Sequence, residues 1–390
     1  LTLAKYFKIS SETPTYIYKE SAKMLRIVDS ILFDCDGVLI DTRESYDMAI
    51  VKTVSILFEK ILNLELIAHT VNSSHIYLLR STGGFNNDTD TAYILSLWLF
   101  TGLPRDRAEV IHGLDSAVED AENPQTLLET VSQTVDLRTG HMQHEYKSTP
   151  PPLEQIISET MRRVGDQVLS VSDLEQTLRE FAVKRGQLEL FETFRRIIGR
   201  PGSYGEGLLE TLFCDIYYGP ENVRLIYGKG NYFDLGPGMY LKERVNVREE
   251  TLEWLAGRFG VENMGIVSGR DRFSTEIVLG ELMRYFNRDA CVFLADEYRQ
   301  VGEVVKKPSP YGIVKAVTRM GGAASPIYLG NSAEDFFMAR SVEKYGYRTL
   351  FAAVVGLAPN PSQSAEFFAS LGSDAIMSSP DDIAKVLGAV

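Results

Sequence analysis

Apolar residues follow two different patterns along this chain. At positions 31–33, 265–267, 291–295, 327–329 and 349–355 they form short unbroken runs, bounded by Gly, Ser or Asp. Between those runs they recur at three- and four-residue spacing, as in Phe273, Val278, Leu282, Tyr285 and Phe286. Continuous runs alternating with amphipathic helices predict a parallel sheet covered on both faces. A shorter β-like stretch at 15–18 sits in the polar N-terminal lead. After the first run, Tyr46, Ile50, Val54, Leu57, Phe58 and Ile61 keep one helical face apolar, and Asp41 with Glu44 has capping-box spacing. Ser309-Pro310 reads as the start of a later helix, and Gly346 as the end of the helix that begins near Ala333.

From about residue 43 to 246 the strand–helix alternation gives way to helical patterns alone. Its interruptions are Gly83-Gly84-Phe85-Asn86-Asn87-Asp88, the cluster Pro150-Pro151-Pro152, read as a stiff connection, and a Gly-rich region at 219–238. The expected organisation is therefore an N-terminal extension (1–27), an α/β core (28–42 and 247–390) and an inserted, mostly α-helical domain (43–246). A length of 390 residues agrees with two domains.

Composition narrows the function classes. The formal charge is −13 and no basic run occurs, which opposes binding to nucleic acid or anionic membrane. The longest apolar stretch, near 93–100, is far shorter than the roughly 20 residues of a membrane span, and no signal-peptide pattern is present. A cytoplasmic protein is expected, with self-association left open. Cys35, Cys214 and Cys291 are odd in number and widely separated, against a disulfide framework or zinc site. His141 and His144 lack companion ligands, Cys35 reads as a small buried filler, and Trp98 and Trp254 lie in apolar helical patterns expected to be core.

The chemistry concentrates in four pieces placed near the ends of apolar runs, where open parallel sheets bind ligands. They are Asp34-Cys35-Asp36-Gly37-Val38-Leu39, Ser268-Gly269-Arg270, Lys306-Lys307-Pro308 and Gly330-Asn331-Ser332-Ala333-Glu334-Asp335. Singly, each is a common turn or cap; the ordered set is specific. It resembles the haloacid dehalogenase superfamily, in particular its subfamily IA-like phosphatases with a cap inserted between the first and second motifs. The resemblance covers about residues 28–42 and 247–390. It implies a Rossmann-like core and a Mg²⁺-dependent phosphatase acting on a small phosphorylated metabolite.

By that resemblance Asp34 is the nucleophile that becomes an aspartyl phosphate, and Asp36 protonates the leaving oxygen and later activates water. Ser268 and the Gly269 amide bind phosphate, and Lys307, with Lys306 as the alternative, neutralises charge. Asp34, Asp36 through its carbonyl, Asn331 and Asp335 are the implied metal ligands. The fourth motif departs from the family pattern, because Asn331 stands where an Asp usually meets the metal; weaker metal binding follows. In the inserted domain the GGFNND loop resembles one found in some capped phosphatases and marks Arg80, Asn86 and Asn87 as candidate substrate contacts; a helix-connecting turn is the plainer reading. Two other functions compete: a catalytically weakened phosphometabolite-binding or scaffold protein, and a phosphomutase or phosphotransferase.

Overall fold

A computed structural model describes residues 2–10, 14–66, 70–85, 87–147, 149–165, 169–320 and 325–389. The chain divides into two compact units, one made of Leu1–Thr42 with Glu243–Val390 and the other of Arg43–Lys242. The first is α/β, as the apolar runs predict.

Its sheet has eight strands: β1 (Tyr6–Ser10), β2 (Thr15–Tyr18), β3 (Ser30–Phe33), β4 (Met264–Ser268), β5 (Val292–Phe293), β6 (Pro326–Gly330), β7 (Leu350–Val354) and β8 (Ala375–Met377). The spatial order is β1-β2-β8-β7-β6-β3-β4-β5. All pairings from β8 to β5 are parallel, whereas β1 and β2 pair antiparallel to each other and β2 runs antiparallel to β8. Residues read from sequence as an N-terminal extension thus supply two strands at one edge of the sheet.

Alternation along each strand divides the core between the two faces, as a pleat with period two requires. Ile31, Phe33, Met264, Ile266, Ile327, Leu329, Leu350, Ala352 and Val354 pack on one side. Leu32, Val267, Tyr328, Phe351 and Ala353 pack on the other. Both sides are covered, which is why these runs read as continuous rather than alternating.

Some local expectations change. The run at 291–295 is strand only at Val292–Phe293, and helix begins at Leu294. Asp41 and Glu44 do not cap the long helix, which spans Tyr46–Leu62; Asp41 instead belongs to a two-residue strand, Ile40–Asp41, antiparallel to Arg244–Val245. The helix after the lysine pair is Tyr311–Arg319, one residue later than the Ser309-Pro310 reading, with Pro310 at the N-cap. Trp254 is 40% exposed and not core, because it lies on the outer side of the helix Glu249–Phe259, whose buried residues are Thr251, Leu252, Leu255 and Phe259.

The unit Arg43–Lys242 is helical. Tyr46–Leu62 packs against Asp88–Thr101, Pro124–Thr139 and Leu208–Tyr227 around one apolar core. Trp98 is buried there and donates from Nε1 to the Pro151 carbonyl at 2.7 Å, so the proline cluster is held against Asp88–Thr101 before leading into Leu153–Val164. Tyr217 stacks on Tyr46 with centroids 4.2 Å apart. Among the described residues no helix is long and apolar enough to cross a membrane.

Phe351 tests the core of the α/β unit. It is fully buried, with ring centroids 5.5 Å from Phe336 and 5.8 Å from Phe368. Phe351→Ala should cost about 3–5 kcal/mol by lost transfer energy and an unfilled cavity, read as a lower urea midpoint for the α/β transition.

Candidate active site

Three strands deliver their carboxyl ends to one edge of the sheet. Phe33 in β3 pairs with Leu329 in β6, so the residues that follow each strand are neighbours. The Asp34 amide continues that ladder by donating to the Leu329 carbonyl at 2.8 Å. Ser268 ends β4 on the other side of β3 and is fully buried. Its hydroxyl oxygen accepts from the Arg270 amide at 3.4 Å, while Gly269 between them is exposed.

Lys307 reaches this edge by another route. It does not end a strand, contrary to the sequence reading, but lies in the turn between the helix Leu294–Val301 and the helix Tyr311–Arg319. Its Nζ sits 2.9 Å from Asp34 Oδ1 and 2.7 Å from Asp335 Oδ1. Lys306, the sequence alternative, is exposed and stands over the Tyr298 ring at 4.6 Å. Of the two lysines, the structure brings Lys307 to the carboxylates.

The two carboxylates that share Lys307 have unequal surroundings. Asp335 is the third residue of the helix Ala333–Ser341, and its Oδ2 accepts from the Asn331 amide at 3.1 Å, the Ser332 amide at 3.0 Å and the Ser332 hydroxyl at 2.8 Å. Oδ1 faces Lys307 and the Tyr328 hydroxyl, which is 3.0 Å away and also within 2.9 Å of the Val267 carbonyl. Burial opposes charge on Asp335, yet Lys307 and these donors outweigh it and hold its carboxyl below the usual range. Asp34 Oδ1, by contrast, is buried with the Lys307 ammonium at 2.9 Å as its partner. Burial raises the Asp34 carboxyl to about 7 against the pull of Lys307, with Asp335 and Asp36 adding to the rise. The Lys307 ammonium is disfavoured by burial, but Asp335 and Asp34 carry its value above the ordinary one.

Asp36 points into a third contact. Its side chain is 37% exposed, and Oδ1 accepts from Arg270 Nη1 at 2.8 Å. The tight loop around it is closed by Gly37 donating to the Ile40 carbonyl at 2.8 Å and by Asn246 Nδ2 donating to the Val38 carbonyl at 2.9 Å. Gly37 has φ +75°, and a Cβ there would lie 2.0 Å from Asn331 Nδ2. Glycine is therefore required both by conformation and by the close approach of Asn331. Gly330 is required as well, since its Cβ would fall 2.5 Å from that of Asp335. Cys35 is fully buried, and burial pushes its thiol well up, in keeping with an inert filler.

The helical candidates have partners within their own unit. Arg80 spans two carboxylates of its own unit, Asp47 at 2.9 Å and Asp88 at 2.6 Å. Asn87 caps the helix Asp88–Thr101, accepting from the Thr89 amide at 3.0 Å. Asn86 lies outside the described residues.

Mg²⁺ commonly takes one or two protein carboxylates and keeps several waters. Among the described residues no group of three or more His, Cys, Asp and Glu converges as a metal cage. The donor set nevertheless fits such an ion: the buried carboxylate of Asp34 adjoins the Asp36 loop, over which the Asn331 amide packs. Asp335, expected among the ligands, already spends both oxygens within the protein.

Comparison with known proteins leaves the family open. No family model matches the chain, and no curated protein matches it. Among solved structures, an X-ray structure from the Northeast Structural Genomics Consortium (target ZR25) is 16% identical with a TM-score of 0.57, covering 92% of this chain and 98% of that one. That likeness concerns the fold. Phosphatase Tt82 from Thermococcus thioreducens is 19% identical with a TM-score of 0.41, over 88% of this chain and 99% of that one.

Sequence reasoning missed Arg270, Glu243 and Tyr328. The Ser-Gly-Arg spacing carried a signal for the first, whereas Tyr328 was hidden inside an apolar run.

The shared lysine sets a pH-dependent prediction. Lys307→Met leaves Asp34 and Asp335 buried without their cation, which should cost about 3–5 kcal/mol near neutral pH. The folded-state carboxyl of Asp335 is depressed, so its contribution is present above the unfolded value and is lost as pH falls through the folded one. The gap between wild type and variant, measured by urea denaturation, should shrink as pH falls below neutral, because Asp34 is raised to about 7 even beside Lys307 and both buried carboxyls take up protons more readily once the cation is gone; the Asp335 part is lost below about pH 4.

Proposed function

We propose that the chain is a Mg²⁺-dependent phosphohydrolase of a small phosphorylated metabolite, working through an aspartyl phosphate on Asp34. The observation that carries this reading is the Lys307 ammonium set between the buried carboxylates of Asp34 and Asp335 at the carboxyl edge of a parallel sheet. A carboxylate so placed can act as a nucleophile, and the adjacent ammonium offsets the repulsion between carboxylate and phosphate. The ordered motifs that resemble the haloacid dehalogenase superfamily support the same reading.

Asp34 attacks phosphorus while Asp36 protonates the departing oxygen, and Asp36 then takes a proton from the water that hydrolyses the acyl phosphate. The Ser268 hydroxyl and Gly269 amide sit at the adjoining strand end, where they can donate to phosphoryl oxygens. Asp34, the Asp36 carbonyl and Asn331 would hold Mg²⁺, which when bound supplies positive charge toward the transferring phosphoryl group. Asp335 acts behind them by orienting Lys307 and the Asn331 loop. Retention of phosphometabolites without turnover is the second reading, favoured by the uncharged Asn331.

A screen of phosphate release across phosphorylated metabolites, with and without Mg²⁺, separates the two. Asp34→Asn should remove turnover by at least about 1,000-fold while thermal unfolding stays near wild type, because a neutral amide cannot serve as nucleophile. A variant that keeps most of its turnover rules out the covalent route. Asn331→Asp should tighten apparent Mg²⁺ affinity in calorimetry, since one more charge joins the ligand set; unchanged affinity removes Asn331 from that set.

A further inference from the structure

Arg270 is a completely buried guanidinium that joins the site to a second carboxylate. Its Nη1 donates to Asp36 Oδ1 at 2.8 Å, and its Nη2 to Glu243 Oε2 at 2.8 Å and to Ser274 Oγ at 3.2 Å. The side chains of Arg270 and Glu243 are both 0% exposed, against 37% for Asp36. Ser274 is itself fixed by Asp271, to which its amide donates at 2.8 Å and its hydroxyl at 2.7 Å. One end of the guanidinium is thus anchored in the interior, and the other end holds one oxygen of a partly accessible carboxylate.

Burying such charges costs several kcal/mol per ion, and apolar replacements of similar volume are often no less stable. Stability alone is a poor account of the arrangement. Its geometric effect is definite, because a planar fork with two occupied arms fixes the direction of both partners, which a lysine with rotating donors does not.

We infer that Arg270 is a positioning residue for Asp36, holding Oδ1 so that Oδ2 is the oxygen that gives up and recovers the proton. This rests on the phosphohydrolase reading and adds an assignment to it. The Arg270 N–H occupies Oδ1, which leaves Oδ2 as the oxygen of this partly exposed carboxylate not engaged by the guanidinium. In the first step Asp34 forms a bond to phosphorus as the ester P–O bond breaks, and the departing oxygen takes the Oδ2 proton. In the second, a water gives a proton to Oδ2 as its oxygen bonds to phosphorus and the Asp34–phosphorus bond breaks, releasing inorganic phosphate and restoring both side chains.

Leaving-group dependence tests this, since an alkoxide needs a proton to depart and a nitrophenolate does not. Turnover of glycerol 2-phosphate and of 4-nitrophenyl phosphate is measured for wild type, Asp36→Asn, Arg270→Lys and the charge-balanced double variant Arg270→Met with Glu243→Gln. Arg270→Lys should lower kcat for the alkyl ester by about 100-fold and for the aryl ester by less than about fivefold, with KM little changed, in parallel with Asp36→Asn. The double variant should give the same split, which covers the case in which Arg270→Lys does not fold. Equal losses on both esters, or no loss on either, overturn the role of Arg270 while leaving the parent reading in place. An Asp36→Asn variant with no leaving-group sensitivity, or a wild type that hydrolyses neither ester, overturns both.

Discussion

The site depends on one ammonium shared by two carboxylates. Lys307 stands between Asp34, which follows β3, and Asp335, in the helix that follows β6, and it can do so only because β3 and β6 are adjacent and in register at Phe33 and Leu329. Three buried charges at a sheet edge are unstable in any other combination: without Lys307 two carboxylates face each other, and without either carboxylate the cation lacks part of its compensation. Gly330 and Gly37 belong to the same constraint, for a side chain at either would displace Asp335 or Asn331.

The sharing is unequal, and this is where structure turns into chemistry. Asp335 receives donors on both oxygens from Lys307, Tyr328, Ser332 and the Asn331 amide, and a carboxylate so enclosed is fixed in place and stays charged. Asp34 Oδ1 has the same lysine at 2.9 Å, and its carboxyl is raised to about 7 chiefly by burial. One carboxylate is structural by virtue of being satisfied. The other has fewer partners, and on this contrast the proposal of Asp34 as nucleophile rests.

Much of this was legible in the sequence where local chemistry decides the outcome. The apolar runs marked the strands, and the residues closing three of them, Asp34, Ser268 and Asn331, meet at one edge because parallel strands all present their carboxyl ends on the same side. Lys307 was legible only as a motif. It arrives through a turn between helices, so no run of apolar residues points to it. Arg270 and Glu243 were not legible as a pair, since 26 intervening residues separate them and nothing local requires that both be buried. Trp254 misled because an apolar ring on an amphipathic helix can lie at the boundary of the buried stripe and remain exposed. Arg80 and Asn87 were read from a Gly-rich loop as candidate substrate contacts, and within the helical unit they make a double ion pair and a helix cap that no local pattern spelled out.

Asn331 acquires a second meaning once the charges are counted. In the two ion-pair groups of the site the carboxylates of Asp34, Asp36, Asp335 and Glu243 face Lys307 and Arg270, so among these described residues carboxylates outnumber cations. A phosphate monoester approaching this edge meets net repulsion, and an Asp at 331 would deepen it while improving the hold on a divalent cation. Asparagine at this position moves the balance the other way, easing the approach of the anion and weakening the metal's anchorage. In the proposed reaction the two effects oppose each other because substrate and cation compete for the same field, and their difference, rather than the loss of one ligand charge, decides whether the site turns over or only binds.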